Sequence, residues 1–124
     1  MNEQKHGCQF QNTWEIYTSS WKANSAEEKK AIFNKCLGFD CEYNDPSVKI
    51  QGWDALIATM QAFHQVVPGG HFETTYFLAH SDKSIARWNM KSSDDQIIGE
   101  GISYGEYTNG GKLISITGFF ETPQ

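Results

Sequence analysis

Residues 80–121 read HSDKSIARWNMKSSDDQIIGEGISYGEYTNGGKLISITGFFE, and this stretch decides the fold. Three β-type runs are joined by turns rich in Asp and Gly, at Asp94-Asp95 and at Asn109-Gly110-Gly111, which is the pattern of an antiparallel meander. The middle run contains Gly99, Gly101 and Gly105. Because Gly weakens a strand unless the sheet bends or another group approaches its backbone, we predict a bent sheet whose inner face forms half of a pocket.

Three helices are predicted upstream of this sheet. The first carries aromatic residues at spacings of four, three and four, which places them on one helical face: Phe10, Trp14, Tyr17 and Trp21. The second begins in a capping box, with Ser25 as N-cap and Glu28 reaching back, and is predicted to end at Gly38. The third runs from about Trp53 to a stop at Pro68-Gly69-Gly70.

Two further strands complete the predicted fold. Phe39, Cys41 and Tyr43 alternate with acidic residues and indicate a short half-buried strand, and residues 72–80 indicate the first long strand. Helices followed by an antiparallel sheet predict an α+β fold, in which a curved antiparallel sheet wraps around the N-terminal helices. At 124 residues, the chain is expected to form a single domain over residues 1–124.

Composition narrows the class of protein. A net charge of -5 with singly scattered basic residues argues against a nucleic-acid or anionic-membrane partner. The sequence shows no membrane-length apolar run and no signal-peptide core at its start. Cys8, Cys36 and Cys41 fit neither a zinc site nor a disulfide framework, so we expect free thiols in a reducing cytoplasm. We predict no metal and no cofactor, because the sequence lacks both a ligand spacing and a Gly-rich phosphate loop before a helix.

Short motifs along nearly the whole chain resemble those of the nuclear transport factor two-like superfamily. This cone-shaped fold includes ketosteroid isomerase and the SnoaL-like polyketide cyclases. The motifs occur in family order: Trp21-Lys22-Ala23-Asn24, Tyr43-Asn44-Asp45-Pro46, Ile50 with Gly52, Pro68-Gly69-Gly70, Arg87-Trp88, Gly101-Ile102-Ser103, Gly111-Lys112-Leu113 and Gly118-Phe119-Phe120.

The resemblance also assigns the inner face of the sheet. Ketosteroid isomerases carry a pocket-facing acid where Ser103 stands here. Because side chains alternate along a strand, the inward direction of Ser103 predicts which neighbouring residues also face the pocket. Ile114 is then expected inside and Leu113 outside. The resulting wall is apolar and aromatic, as a site for a small hydrophobic molecule should be. Its expected ligand-binding residues are Trp14, Met60, Phe63, Trp88, Met90, Gly101, Ile116, Gly118 and Phe120.

Three catalytic residues are implied by the same resemblance. The isomerases place their general base in an Asp-Pro before the third helix, which corresponds to Asp45 here. Their oxyanion tyrosine on the first helix corresponds to Tyr17, and Ser103 replaces the acid that donates the second hydrogen bond. Proton abstraction next to a carbonyl needs a carboxylate in an apolar cavity and donors for the developing enolate.

The sequence departs from the isomerase pattern at several positions, and these departures limit which reaction the three residues can be expected to catalyse. The Ser103 hydroxyl is shorter and less acidic than the acid it replaces, and Leu37 and Met60 stand in place of supporting tyrosines. Steroid isomerisation by the full constellation and SnoaL-type aldol cyclisation are therefore not expected. Simpler explanations also stay open, because an Asp before Pro commonly closes an Asx-turn and a helical Tyr such as Tyr17 commonly packs in a core.

Two further residues give weaker signals. His80 beside Asp82 is a candidate proton relay at the end of the first long strand. Arg87 is expected on the outer face of the sheet, because its neighbour Trp88 points inward, and this excludes an Asp-Arg-Asp catalytic centre.

Two hypotheses about function follow from the sequence. The first is a cofactor-independent isomerase, lyase or hydrolase that uses Asp45 on a small apolar carbonyl or cyclic compound. The second is a binding module that holds a hydrophobic metabolite without turnover; a cone filled by its own aromatic side chains is a further possibility. The outer sheet face carries apolar residues such as Ile102 and Phe119 rimmed by charges, so a homodimer through this face is predicted.

Overall fold

The computed structural model describes the backbone of residues 2–122 and the side chains of residues 9–122. Three helices and six strands follow one another along the chain: α1 (Asn2–Ser19), α2 (Ala26–Cys36), β1 (Leu37–Asn44), β2 (Lys49–Gln51), α3 (Trp53–Val66), β3 (His71–His80), β4 (Lys83–Lys91), β5 (Ile97–Tyr107) and β6 (Leu113–Phe119). The predicted α+β architecture is confirmed.

The six strands form one sheet in the order β2-β1-β6-β5-β4-β3. Strands β3 to β6 form the predicted antiparallel meander, and β2 is also antiparallel to β1. The sheet is mixed, however, because β1 runs parallel to its neighbour β6. The helices cover one side of the sheet, which we call the concave face, and α1 packs against β3.

The connection between α1 and α2 is held by local polar contacts. Ser25 caps α2 by accepting the backbone N–H of Glu28 at 3.1 Å, and the Glu28 carboxylate reaches back to the N–H of Asn24 at 3.2 Å. The buried Lys29 ammonium donates to the carbonyls of Ser20 at 2.9 Å and Ala23 at 2.7 Å. Burial lowers the pKa of Lys29, and the neighbouring Glu28 opposes this effect. The ammonium thus ties together two carbonyls of the turn that follows α1.

The prediction that the second helix ends at Gly38 is wrong. The helix ends at Cys36, Leu37 is already extended, and Gly38 lies inside β1. A β-carbon on Gly38 would lie 3.3 Å from Ile114 Cγ2, which is a tight contact. The glycine therefore allows close approach of β1 and β6.

Two register shifts correct the predicted faces of β1 and β6. In β6, Leu113 pairs with Tyr107 and Ser115 with Glu106, so Ile114 is the extra residue of a bulge. Leu113 is consequently buried and Ile114 is 43% exposed, the reverse of the prediction. A shift in β1 between residues 37 and 42 likewise leaves Phe39 71% exposed.

The remaining sequence predictions concern membranes, metals and thiols. No helix among the described residues is long and apolar enough to cross a bilayer. Within residues 9–122, no group of three His, Cys, Asp or Glu side chains is arranged to hold a metal ion. Cys36 and Cys41 are free and buried, and burial raises the pKa of both thiols to about 12, so they are unreactive near neutral pH. The side chain of Cys8 lies outside the described ones.

Candidate ligand-binding and active site

The centre of the concave face is occupied by Trp88. This residue on β4 pairs with Gly101 on β5, and its indole lies directly against the glycine. A β-carbon on Gly101 would lie 2.4 Å from Trp88 Cζ2 and 2.7 Å from the Phe119 carbonyl oxygen, so only glycine fits. The indole N–H donates to Ser103 Oγ at 2.9 Å. The glycine predicted to contact a ligand thus accommodates a side chain of the protein itself.

Tyr17 is held at the end of α1 by a second indole. Trp21 Nε1 donates to the Tyr17 hydroxyl oxygen at 3.0 Å, and the Tyr17 side chain is 2% exposed. Burial raises the pKa of Tyr17 well above its ordinary value, the bond from Trp21 opposes this, and the charge of Asp45 contributes to the rise. The phenol is therefore a neutral hydrogen-bond donor at any ordinary pH.

Asp45 lies in the turn after β1 and is half-buried. Its Oδ1 accepts the backbone N–H groups of Ser47 at 2.8 Å and Val48 at 3.1 Å, which closes an Asx-turn. Its Oδ2 accepts the hydroxyl of Tyr43 at 2.6 Å. Burial raises the pKa of Tyr43 well above its usual range, with Tyr17 and the Asp45 carboxylate adding to the effect, so Tyr43 is also a neutral donor.

Gly118 connects Asp45 with Ser103. A β-carbon built on this β6 glycine would lie 3.5 Å from Asp45 Cβ and 3.8 Å from Ser103 Oγ. Asp45 and the serine hydroxyl therefore both lie beside the same glycine. Tyr17 is connected to Asp45 through two aromatic side chains, since Trp21 donates to Tyr17 and meets the Tyr43 ring at 6.0 Å, and Tyr43 donates to Asp45. The three residues predicted as catalytic lie in one region of the concave face.

The other predicted ligand-binding residues form two groups around this region. Trp14, Met60 and Ile116 are deeply buried and form its floor. Phe63, Met90 and Phe120 are half-buried, as Asp45 is, and we call these four residues the rim. The Phe63 ring stacks on Phe72 with 5.3 Å between centroids, and Phe120 meets Trp88 edge-on at 6.2 Å. The site has an apolar floor, three hydroxyl groups and a single carboxylate.

Comparison with solved structures identifies the fold. A proposed isomerase of the SnoaL-like family from Agrobacterium tumefaciens strain C58 superimposes with a TM-score of 0.83 at 19% identity, over 93% of this chain and 99% of that chain. The chain has the SnoaL-like cone fold. A proposed SnoaL-like polyketide cyclase from a Jannaschia species matches this cone with a TM-score of 0.75 at 10% identity, over 93% of this chain and 87% of that chain.

A third structure with the SnoaL-like cone is a proposed ketosteroid isomerase from Kribbella flavida, with a TM-score of 0.66 at 21% identity, over 94% of this chain and 80% of that chain. No family model matches the sequence. No curated protein matches it either. At these identities the likeness establishes the cone fold, and the residues of the site must support any function.

Sequence reasoning missed two residues of this site, Tyr43 and Trp21, and it predicted Trp88 only as a ligand contact and not as a hydrogen-bond donor to Ser103. Tyr43 donates to Asp45, and Trp21 and Trp88 each donate to one of the other two catalytic candidates. A signal existed only for Tyr43, because residues two apart on a strand share a face. The indole contacts depend on rotamers and on the register of neighbouring strands.

Two secondary predictions have clear outcomes. The His80–Asp82 relay is not formed, because His80 Nδ1 lies 3.3 Å from Ser81 Oγ and Asp82 pairs with Lys83 at 3.6 Å. Arg87 is exposed on the outer face, where it pairs in register with Ile102, as predicted.

The fit between Trp88 and Gly101 can be tested by adding one methyl group. Gly101→Ala should reduce the free energy of unfolding by about 1–3 kcal/mol, because the new β-carbon overlaps the indole and the Phe119 carbonyl. Gly99→Ala on the same strand is the matched control, since its β-carbon would come no closer than 3.7 Å to Met90. Urea unfolding measures both, and an equal effect of the two substitutions would contradict the described packing.

Proposed function

We propose that the chain binds a small, largely apolar carbonyl compound on its concave face and removes a proton from the carbon next to the carbonyl, without a cofactor. The observation that carries this proposal is the contact of Asp45 and Ser103 with the same glycine, Gly118, together with the connection from Asp45 through Tyr43 and Trp21 to Tyr17. A carboxylate for the C–H proton and hydroxyl donors for the developing oxyanion are the groups that enolisation requires.

Each group has a defined part in the proposed reaction. Asp45 takes the α-proton, the C–H electron pair moves toward the carbonyl oxygen, and Tyr17 and Ser103 donate hydrogen bonds to that oxygen. The Asx-turn fixes Oδ1, so Oδ2, whose only protein partner among the described residues is Tyr43, is the oxygen available to the substrate. Return of the proton to a different carbon would complete an isomerisation, and loss of a leaving group from the enolate would make the reaction that of a lyase.

A binding module without turnover is the second candidate. The Asx-turn at Asp45 favours it, because three hydrogen bonds give the carboxylate a structural role that needs no chemistry. Aromatic packing around Trp88 also uses part of the space that a ligand would need. On this alternative the concave face binds a hydrophobic metabolite and releases it unchanged.

The outer sheet face is proposed to form a homodimer. Ile102 pairs with Phe119 across β5 and β6, and the two are 42% and 57% exposed. Further exposed apolar side chains on the outer face are Tyr76 at 51%, Leu78 at 54% and Ile85 at 40%. Exposed apolar side chains grouped on one face of a sheet are typical of a twofold interface.

Solvent-deuterium exchange into cyclohexanone tests the proposed chemistry. The wild-type protein should accelerate exchange at the α-carbons, and Asp45→Asn should reduce the rate by about a hundred- to ten-thousandfold, as loss of a general base typically does. Tyr17→Phe should slow exchange, and Ser103→Ala should have a smaller effect. Asp40→Asn is the matched control, since Asp40 is an exposed carboxylate on β1. Exchange is followed by NMR, and an Asp45→Asn variant as fast as wild type would leave the binding module as the better account.

Sedimentation tests the proposed dimer. Ile102→Glu or Phe119→Glu should convert the protein to a monomer, because each places a charge in the apolar interface. Val66→Glu is the control, because Val66 is 81% exposed at the end of α3, away from the sheet. Wild-type protein that sediments as a monomer at micromolar concentration would contradict the dimer.

A further inference from the structure

Two buried hydroxyl groups on the concave face share an unusual environment. Tyr17 accepts a hydrogen bond from the Trp21 indole at 3.0 Å, and Ser103 accepts one from the Trp88 indole at 2.9 Å. The Tyr17 side chain is 2% exposed and the Ser103 side chain 7% exposed. Each of these hydroxyls therefore has one oxygen lone pair occupied by a group that can only donate.

The protons of these two hydroxyls have no acceptor in the described part of the protein. The hydrogen bonds from Trp21 and Trp88 are the only ones that Tyr17 and Ser103 side chains make among residues 9–122. A buried donor without an acceptor costs free energy. Both protons are thus available to a group that the chain does not supply, on the face where Asp45 and Gly118 lie.

Phe72 keeps the two indoles in position. Its ring meets Trp21 edge-on at 5.3 Å and Trp88 edge-on at 5.1 Å. The two indole–hydroxyl pairs are therefore connected through one aromatic side chain, so neither indole can turn away from its hydroxyl without disturbing Phe72. This packing favours a fixed orientation of both donors before any ligand arrives.

We propose that Trp21 and Trp88 are the specificity-determining residues of the concave site. By occupying one of the lone pairs of Tyr17 and of Ser103, they leave each hydroxyl with a proton that has no acceptor and with reduced capacity to accept, so the site favours ligands whose oxygen only accepts hydrogen bonds. Such ligands are ketones, lactones and esters. The corresponding alcohols are disfavoured because they bring a proton of their own, for which the two hydroxyls have less acceptor capacity left. The proposal rests on the binding of a carbonyl compound proposed above, and it does not require turnover.

The other two tryptophans with described side chains differ from this pair. Trp53 Nε1 donates to the backbone carbonyl of Gly38 at 3.0 Å, and a carbonyl has no proton to direct. Trp14 Nε1 donates to Thr74 Oγ1 at 3.2 Å, but Thr74 is only half-buried, so solvent can accept its proton. Trp53 therefore offers a control in which an indole hydrogen bond is lost without a change at the site.

Binding of cyclohexanone and cyclohexanol, measured by NMR titration, tests the proposal. Wild-type protein should bind the ketone about tenfold more tightly, as one unsatisfied buried donor would cause. Trp88→Phe should lower the ratio toward one, because Ser103 loses the indole N–H and then has both of its lone pairs available for the alcohol proton. Trp53→Phe should keep the wild-type ratio. Trp21→Phe is the second variant at the site and should also lower the ratio. Far-UV circular dichroism confirms that each variant is folded.

The possible results separate this proposal from the proposed chemistry. Equal binding of the two probes, no binding of either, or an unchanged ratio in folded Trp88→Phe would overturn the role of the indoles. A ketone preference that disappears in Trp88→Phe supports that role even if the protein exchanges no deuterium, a result that would count only against Asp45 as base. If the wild-type protein catalyses deuterium exchange but binds ketone and alcohol equally, Asp45 stays the proposed base and the specificity proposal is overturned.

Discussion

The close contact between the Trp88 indole and the backbone of Gly101 determines the form of the concave face. No β-carbon fits between the ring and β5, so the middle strand must carry glycine at this point. The indole that lies there brings its N–H to Ser103 and gives Phe72 and Phe120 a surface to pack on. A face that would otherwise be a smooth apolar wall thus contains a buried hydroxyl with a fixed orientation.

Asp45 illustrates how one residue serves the turn and the proposed site together. Backbone N–H groups hold one carboxylate oxygen, which fixes the connection between β1 and β2, and the second oxygen faces Tyr43. A carboxylate held in this way is already oriented before a substrate binds, and orientation is a large part of what a general base needs. The turn role and the catalytic role are therefore compatible, and only a measurement of the reaction distinguishes them.

Sequence patterns predicted the elements well where local chemistry determines them. The Ser25 cap follows from side chains close together in sequence, and the third helix follows from apolar residues at helical spacing, of which Leu56, Ile57 and Met60 are buried. The predicted faces of Leu113 and Ile114 were wrong because a bulge adds one residue to β6. A prediction from simple alternation of side chains does not include such an extra residue. The indole–hydroxyl pairs could not be predicted either, since they depend on which rotamer a tryptophan adopts once the strands are in register. Asp45, Tyr17 and Ser103 were predicted from the family resemblance, and their catalytic roles stay a prediction; Asp45 and Ser103 lie beside the same Gly118.

The central claim is that these hydroxyls and this carboxylate form one site for a carbonyl compound. A crystal structure of the protein with bound cyclohexanone tests it most directly. The account predicts the carbonyl oxygen at about 2.7–3.0 Å from both Tyr17 Oη and Ser103 Oγ, with an α-carbon facing Asp45 Oδ2. A ketone bound elsewhere, for example on the outer sheet face, with the concave face filled by Trp88 and its aromatic neighbours, would contradict it.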